Sequence, residues 1–220
     1  LPGGRLRGPD DRPLPAVLDL PSLYEAILTS LLPMKARAGE TLSVAADRLE
    51  AARSDYQQGL REEPGNRDAI LGLAAVEMRS QRFEAADALY QRLLQADPRD
   101  PHANAGMLAL RSQQVDPVAA ESRLKTLLAA DPAVGVLYFT LGNQYTQQGR
   151  WAEAREAYVR AVAADPDNPD FAYNLAVSLE YLRQPGPALM QYRRAIDLAL
   201  KRNPSFDVAA AQARAQQLAR

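Results

Sequence analysis

Apolar residues recur along this chain at helical spacing. Between 152 and 164, Ala154, Ala157, Tyr158, Ala161 and Val162 fall on one side of a 3.6-residue turn, and between 169 and 182 Ala172, Leu175, Ala176 and Leu179 do the same. Residues 41–62 read as one long helix. Ser22, Leu23, Tyr24 and Glu25 form a capping-box pattern ahead of Ile27, Leu28, Leu31 and Leu32, which predicts a short helix over 22–32. Near the other end, Phe206, Ala209, Ala210, Ala213 and Leu218 predict a helix over 206–219 with those residues on its apolar side. No stretch reads as a strand.

The breaks between helices are periodic. Pro64, Pro98, Pro132 and Pro166 are spaced by 34 residues, and the last three sit in Ala-Asp-Pro phrases at 96–98, 130–132 and 164–166. Proline cannot continue a helix and disfavours the helical region for the residue before it, so each phrase closes one helix and turns the chain into the next. Two further sets keep the same period. Tyr56, Tyr90, Leu124, Tyr158 and Tyr192 supply a large residue, and Ala52, Ala86, Ala120, Ala154 and Ala188 a small one. A small residue opposite a large one lets two helices interdigitate. One helix pair cannot bury its own apolar face, so neighbouring pairs must stack.

The segment 135–168 carries Leu141, Gly142, Tyr145, Ala154, Tyr158, Ala161 and Pro166, with Trp151 opening its second helix. It resembles the tetratricopeptide-repeat (TPR) signature almost position by position. The resemblance implies an all-α fold, an α-α superhelix built as a TPR solenoid of antiparallel helix pairs, with a C-terminal capping helix. It divides the chain into a Pro/Gly-rich linker at 1–20, N-terminal helices and a partial repeat at 21–66, and four repeats at 67–202. The repeats run 67–100, 101–134, 135–168 and 169–202, and the capping helix falls in 203–220. The second repeat departs most from the pattern, with Arg111 where a tyrosine or leucine is usual and Pro117 where an aromatic is usual. The fourth has Leu200 in place of the closing proline and runs on to Asn203 and Pro204. The helix over 22–32 is expected either to cap the stack or to dock on a partner.

In this family the first helix of each repeat lines a concave groove, and the resemblance implies that its second, fifth, ninth and twelfth positions point inward. The partner-binding groove expected here therefore includes Leu71, Ala75 and Met78 in the first repeat and Ala105 and Ala109 in the second. Phe139 and Asn143 come from the third repeat, and Tyr173 and Val177 from the fourth. Asn174 joins them as the counterpart of Asn143, at the sixth position of the next repeat. Asparagines at those two places hold a peptide backbone in related proteins, because an amide donates and accepts at once. Phe139 stands where a carboxylate clamp needs lysine. An apolar or mixed segment is therefore the expected ligand, rather than a terminal carboxylate.

Charge and composition narrow the function. The 220 residues carry a net charge of −1 and a pI near 6.0, which argues against nucleic acid or an anionic membrane as the main partner. There is no cysteine, so disulfides and thiolate chemistry are excluded. His102, the only histidine, follows Pro101 at a helix start, where a solvent-facing or capping role is expected. No glycine-rich phosphate loop is visible. Neither a catalytic residue nor a metal site nor a cofactor is expected, and the chain reads as a non-enzyme. No apolar run is long enough to span a membrane, and no signal peptide is visible. The chain starts at Leu1 rather than methionine, which reads as a processed or cut chain, so an anchoring segment ahead of it is one expectation and the compartment is left open between periplasm and cytoplasm.

The reading is a protein-interaction scaffold or adaptor that binds a peptide or helix of a partner protein. Its Ala- and Arg-rich repeats behind a Pro-rich linker resemble bacterial TPR proteins of pilus biogenesis, secretion or envelope assembly. The alternatives are a self-associating structural module, that is a homodimer, and a regulatory subunit of an envelope enzyme.

Overall fold

A computed structural model describes residues 42–111 and 114–220. The linker 1–20 and the helix expected over 22–32 lie outside the described residues. Ten α-helices and no strand occur among those described. They are α1 (Leu42–Glu62), α2 (Arg67–Arg79), α3 (Phe83–Ala96), α4 (Pro101–Leu110), α5 (Pro117–Ala130), α6 (Gly135–Gln147), α7 (Trp151–Ala164), α8 (Pro169–Tyr181), α9 (Pro185–Ala199) and α10 (Val208–Leu218). They fall into two compact units that divide between Pro132 and Ala133.

The helix ends repeat as the sequence does. Asn66, Asp100 and Asn168 cap α2, α4 and α8 by accepting from the backbone N–H groups of the first turn. At the opposite ends, α2, α6 and α8 stop in the same way. The N–H groups of Arg82, Arg150 and Gln184 donate to the carbonyls of Glu77, Tyr145 and Leu179, five residues back. The residue just before each of these, Gln81, Gly149 and Arg183, has positive φ. This is the Schellman stop, which prefers glycine at the left-handed residue, and only the third repeat has one. Asp97, Asp131 and Asp165 close α3, α5 and α7 ahead of their prolines.

The 34-residue ladder is the core. Tyr90, Leu124, Tyr158 and Tyr192 are buried, as are Ala86, Ala120, Ala154 and Ala188. Burying each large side chain of this kind stabilises by roughly 1.5–3 kcal/mol. Arginines of the second helices fasten the turns. Arg123 and Arg194 donate to the carbonyls of Pro98 and Pro166 at 2.9 and 2.8 Å, and Arg92 donates to that of Pro64.

Two departures in the second repeat have local causes. Its first helix, α4, has 10 residues where α2, α6 and α8 each have 13. Arg111 ends it, and its guanidinium grips both carboxylate oxygens of Asp87 on α3, each at 2.8 Å. Pro117 does not weaken the second helix. It opens α5 at the first helical position, where proline's fixed φ suits the helix, behind the capping carboxylate of Asp116.

The C-terminal helix is shorter than 206–219, and its buried side is a different one. Ala209, Ala210 and Ala213 face solvent and Leu218 is half-buried, while Ala211, Arg214 and Ala215 are the buried residues of α10. Phe206, ahead of the helix, is buried as expected. An ion pair sets this register, because the Arg214 guanidinium docks on Glu180 of α8 and carries its helix face inward.

Candidate functional site

The first helices are buried almost all round. On α2 every residue from Ile70 to Met78 is buried, and on α8 every residue from Pro169 to Glu180. All ten residues expected to line a groove, namely Leu71, Ala75, Met78, Ala105, Ala109, Phe139, Asn143, Tyr173, Asn174 and Val177, are 0–7% exposed. The structure therefore does not present them as open surface.

Several of these side chains have identifiable neighbours within residues 133–220. The Phe139 ring lies 4.8 Å from that of Phe171 on α8 and 5.8 Å from that of Tyr158 on α7. The fifth position of α6 thus packs against the next first helix. Tyr173 holds the same position on α8. It stacks on Phe206 at 4.4 Å between ring centroids and meets Tyr192 edge-on at 5.7 Å. Asp170, at the second position, accepts from the Ser205 backbone N–H at 2.7 Å, and Glu180, at the twelfth, pairs with Arg214. The C-terminal segment therefore covers the second, fifth and twelfth positions of the last repeat. A sequence pattern identifies a helix face but not the neighbour that lands on it.

The two asparagines differ. Asn174 donates its Nδ2 to the Asp170 carbonyl of its own helix at 3.0 Å. Asn143 accepts at Oδ1 from the Tyr158 hydroxyl, while its buried Nδ2 has no hydrogen-bond partner. An unsatisfied buried amide costs about 1–3 kcal/mol, so this group gains from any acceptor that reaches it. The Thr146 hydroxyl, one turn on, donates to the Asn143 main-chain carbonyl at 2.8 Å and is not bonded to this Nδ2.

Acid–base chemistry is subdued. Burial pushes the Tyr173 phenol up to about 12, with help from the Asp207 carboxylate, and drives those of Tyr158 and Tyr192 well up. These phenols stay neutral over the physiological range. Glu77, nearly fully buried, is held by Arg53 at 2.8 Å and by Arg82. His102 is not turned freely to solvent. It is half-buried, and the Arg67 guanidinium lies 3.1 Å from its Nδ1. Since arginine only donates, Nδ1 is the accepting nitrogen. Among the described residues no group of three or more histidine and acidic side chains could hold a metal ion, and no helix is long and apolar enough to cross a membrane.

A family model described as a TPR repeat matches residues 142–180, and one described as a tetratricopeptide repeat matches residues 43–110. No curated protein matches the chain. Among solved structures, it is similar to a thermophilic TPR protein of Thermus thermophilus. That match has a TM-score of 0.62 at 22% identity and covers 80% of this chain and 93% of that one. It is also similar to a chain of the Cut9–Hcn1 hetero-tetramer of the APC/C, with a TM-score of 0.59 at 17% identity over 90% of this chain and 35% of that one. At such identities the likeness speaks to fold alone. The chain is an all-α protein of TPR-type helix pairs, with tetratricopeptide repeats matched over residues 43–110 and 142–180.

Proposed function

We propose that this protein is a non-catalytic interaction scaffold that holds a segment of a partner protein along the first helices of its third and fourth repeats. The observation that carries the reading is the buried, unpartnered Nδ2 of Asn143. A main-chain carbonyl of a docked segment supplies the acceptor it lacks, and Val177, at the same position of the next repeat, offers an apolar contact. Because these positions are buried in the free protein, a partner reaches them only by displacing structure that packs there. Association is then slower than the roughly 10⁵–10⁷ M⁻¹s⁻¹ typical of preformed surfaces.

The absence of catalysis is part of this proposal. It is supported by phenols held neutral by burial and by the buried acids Glu77 and Glu180 being committed to arginines. We place the scaffold in assembly of a bacterial pilus, secretion or envelope complex. That setting is supported only by Ala- and Arg-rich repeats behind a Pro-rich stretch.

The test uses paired substitutions. Asn143→Leu with Tyr158→Phe removes the amide and the hydroxyl that uses it, a change of both partners that leaves stability nearly unaltered. Tyr158→Phe alone keeps the Nδ2 donor. Partner affinity should fall about two- to tenfold in the double variant and stay at the parent value in the single one. Equal affinity in all three proteins refutes the site.

A further inference from the structure

We infer that the face of α8 formed by Asp170, Tyr173 and Glu180 is an exchangeable recognition site. Its ligand class is a segment carrying an aromatic ring and, eight residues on, an arginine, and residues 205–214 of this chain are its ligand in cis. In repeat register the cap of a fifth first helix falls at Arg202, 34 residues after Asn168. The cap that α10 uses is Asp207, five residues later, which accepts from the N–H groups of Ala209 and Ala210. Pro204 lies in the added stretch and keeps it from continuing α9. The chain therefore crosses α8 in non-helical form before α10 begins.

The added stretch is where the chain grips α8. Ser205 donates to Asp170 from its backbone N–H at 2.7 Å and from its hydroxyl at 3.3 Å. The Phe206 ring lies flat on Tyr173, with 4.4 Å between centroids and 5° between planes. Further on, the Arg214 guanidinium reaches one carboxylate oxygen of Glu180, while the other accepts from the Tyr192 hydroxyl at 3.0 Å. Each contact matches a separate feature of the segment to a separate feature of the helix. A main-chain N–H meets a carboxylate, a ring meets a ring, and a guanidinium meets a second carboxylate. A docked peptide is held by the same combination of main-chain bonds and side-chain contacts.

What holds the segment is mostly polar. α10 buries only Ala211, Arg214 and Ala215, with Leu218 half-buried, whereas α8 is buried over twelve consecutive residues. Phe206 is the one large apolar side chain that residues 203–218 bury. Water replaces the hydrogen bonds of Ser205 and Arg214 when the segment leaves. An element anchored by one ring and two alanines therefore opens more readily than the helices behind it. With the segment away, Tyr173 presents a ring, and Asp170 and Glu180 present two carboxylates on a helix that carries no basic residue. Such a face favours an aromatic, basic segment and disfavours an acidic one. The inference deepens the proposed function, because α8 is one of the two first helices assigned to the partner. Only the statement that the partner exchanges with this segment rests on that reading; the site itself is measured without a partner.

The probe is a fluorescently labelled synthetic peptide spanning residues 203–220 of this chain. In the full chain, Phe206→Ala with Arg214→Glu removes the ring and sets like charges against Glu180, which loosens the cis segment. The loosened chain should bind the peptide about tenfold or more tighter than the parent, whose own segment competes at high effective concentration. A peptide carrying the same two substitutions should bind the loosened chain about tenfold or more weaker. Asn143 lies on α6, so Asn143→Leu with Tyr158→Phe should leave peptide binding unchanged, and this assay and the test of the scaffold site fail independently. A loosened chain that keeps its helicity yet binds both peptides alike overturns the inference, as does equal binding of the peptide by parent and loosened chains. The unsubstituted protein supplies a second measurement. The slowest amides of α10 should exchange about tenfold or more faster than those of α8, and one common rate overturns the inference because the segment then never leaves by itself.

Discussion

Gly142→Ala and Gly59→Ala make the same chemical change inside helices, and the structure predicts opposite signs. Gly142 lies in α6 with the Tyr158 ring over it. A Cβ there would stand 2.5 Å from Cε1, 2.7 Å from Cδ1 and 2.9 Å from Cζ. The ring has little room to retreat, because it is fully buried, its hydroxyl is tied to Asn143 and Phe139 lies beside it. Overpacking costs about 1–3 kcal/mol, and three ring atoms inside 3.0 Å put this site in the upper part of that range, about 2–3 kcal/mol, while the better helix propensity of alanine returns about 1 kcal/mol. The net expectation is a loss of about 1–2 kcal/mol, or roughly 2–8 °C in Tm for a chain of this size. A Cβ on Gly59, in α1, meets nothing within 4 Å. There the propensity gain stands alone, and stability should rise by up to about 1 kcal/mol. Thermal and urea melts followed by circular dichroism measure both. Gly142→Ala combined with Tyr158→Leu should recover part of the loss. A Gly142→Ala protein as stable as its parent, or both variants moving the same way, would show that the ring does not press on this helix.

The remaining predictions concern the ends of the repeats. Arg214→Ala should cost about 3–5 kcal/mol at the C-terminal end, since it strands the buried Glu180 carboxylate. Hydrogen exchange should place the loss in α8–α10, and Arg214→Met with Glu180→Met should regain most of it. Arg183→Gly should stabilise by up to about 1 kcal/mol, because an L residue at φ 57 gives way to one that adopts that conformation freely. Gly149→Ala, at φ 72 in the same structural position, should cost about 1–2 kcal/mol. Both are read from melting curves. His102 is held below its ordinary value, first by burial and then by the Arg67 guanidinium, with Asp100 and Asp68 opposing. Its folded pKa therefore lies below the unfolded one near 6.5, and the unfolded chain takes up the proton first. Stability is full above about pH 6.5 and declines as pH falls toward the folded value. In urea melts across that window, His102→Gln should show a shallower slope than the parent, and equal slopes would count against the account.

Much of the fold is legible in the sequence because its cause is local. Proline and Asp-Pro spacing mark the helix ends, and the tyrosine and alanine ladders identify what packs between paired helices. The rest depends on neighbours that periodicity does not name. Arg214 is not among the apolar residues expected to face inward from the C-terminal helix, yet its pairing with Glu180 turns its face inward and leaves Ala209, Ala210 and Ala213 outside. Phe139 and Tyr173 lie on the helix face that the family resemblance assigns to the groove. Phe171 and Phe206 respectively occupy that face. Gln81 and Arg183 give no sign of the left-handed conformation they share with Gly149, because the turn is set by its hydrogen bonds and not by their side chains. The spare donor of Asn143 becomes apparent only once Tyr158 is seen to use the other end of the amide.

The claim that this protein works by holding a partner segment along its first helices is tested most directly by affinity capture from the source cells. The parent, Tyr158→Phe, and Asn143→Leu with Tyr158→Phe are compared after circular dichroism shows that all three are folded. The account predicts one protein retained by the parent and by Tyr158→Phe and depleted with the double variant. The same protein retained equally by all three would contradict it and move the interface away from Asn143.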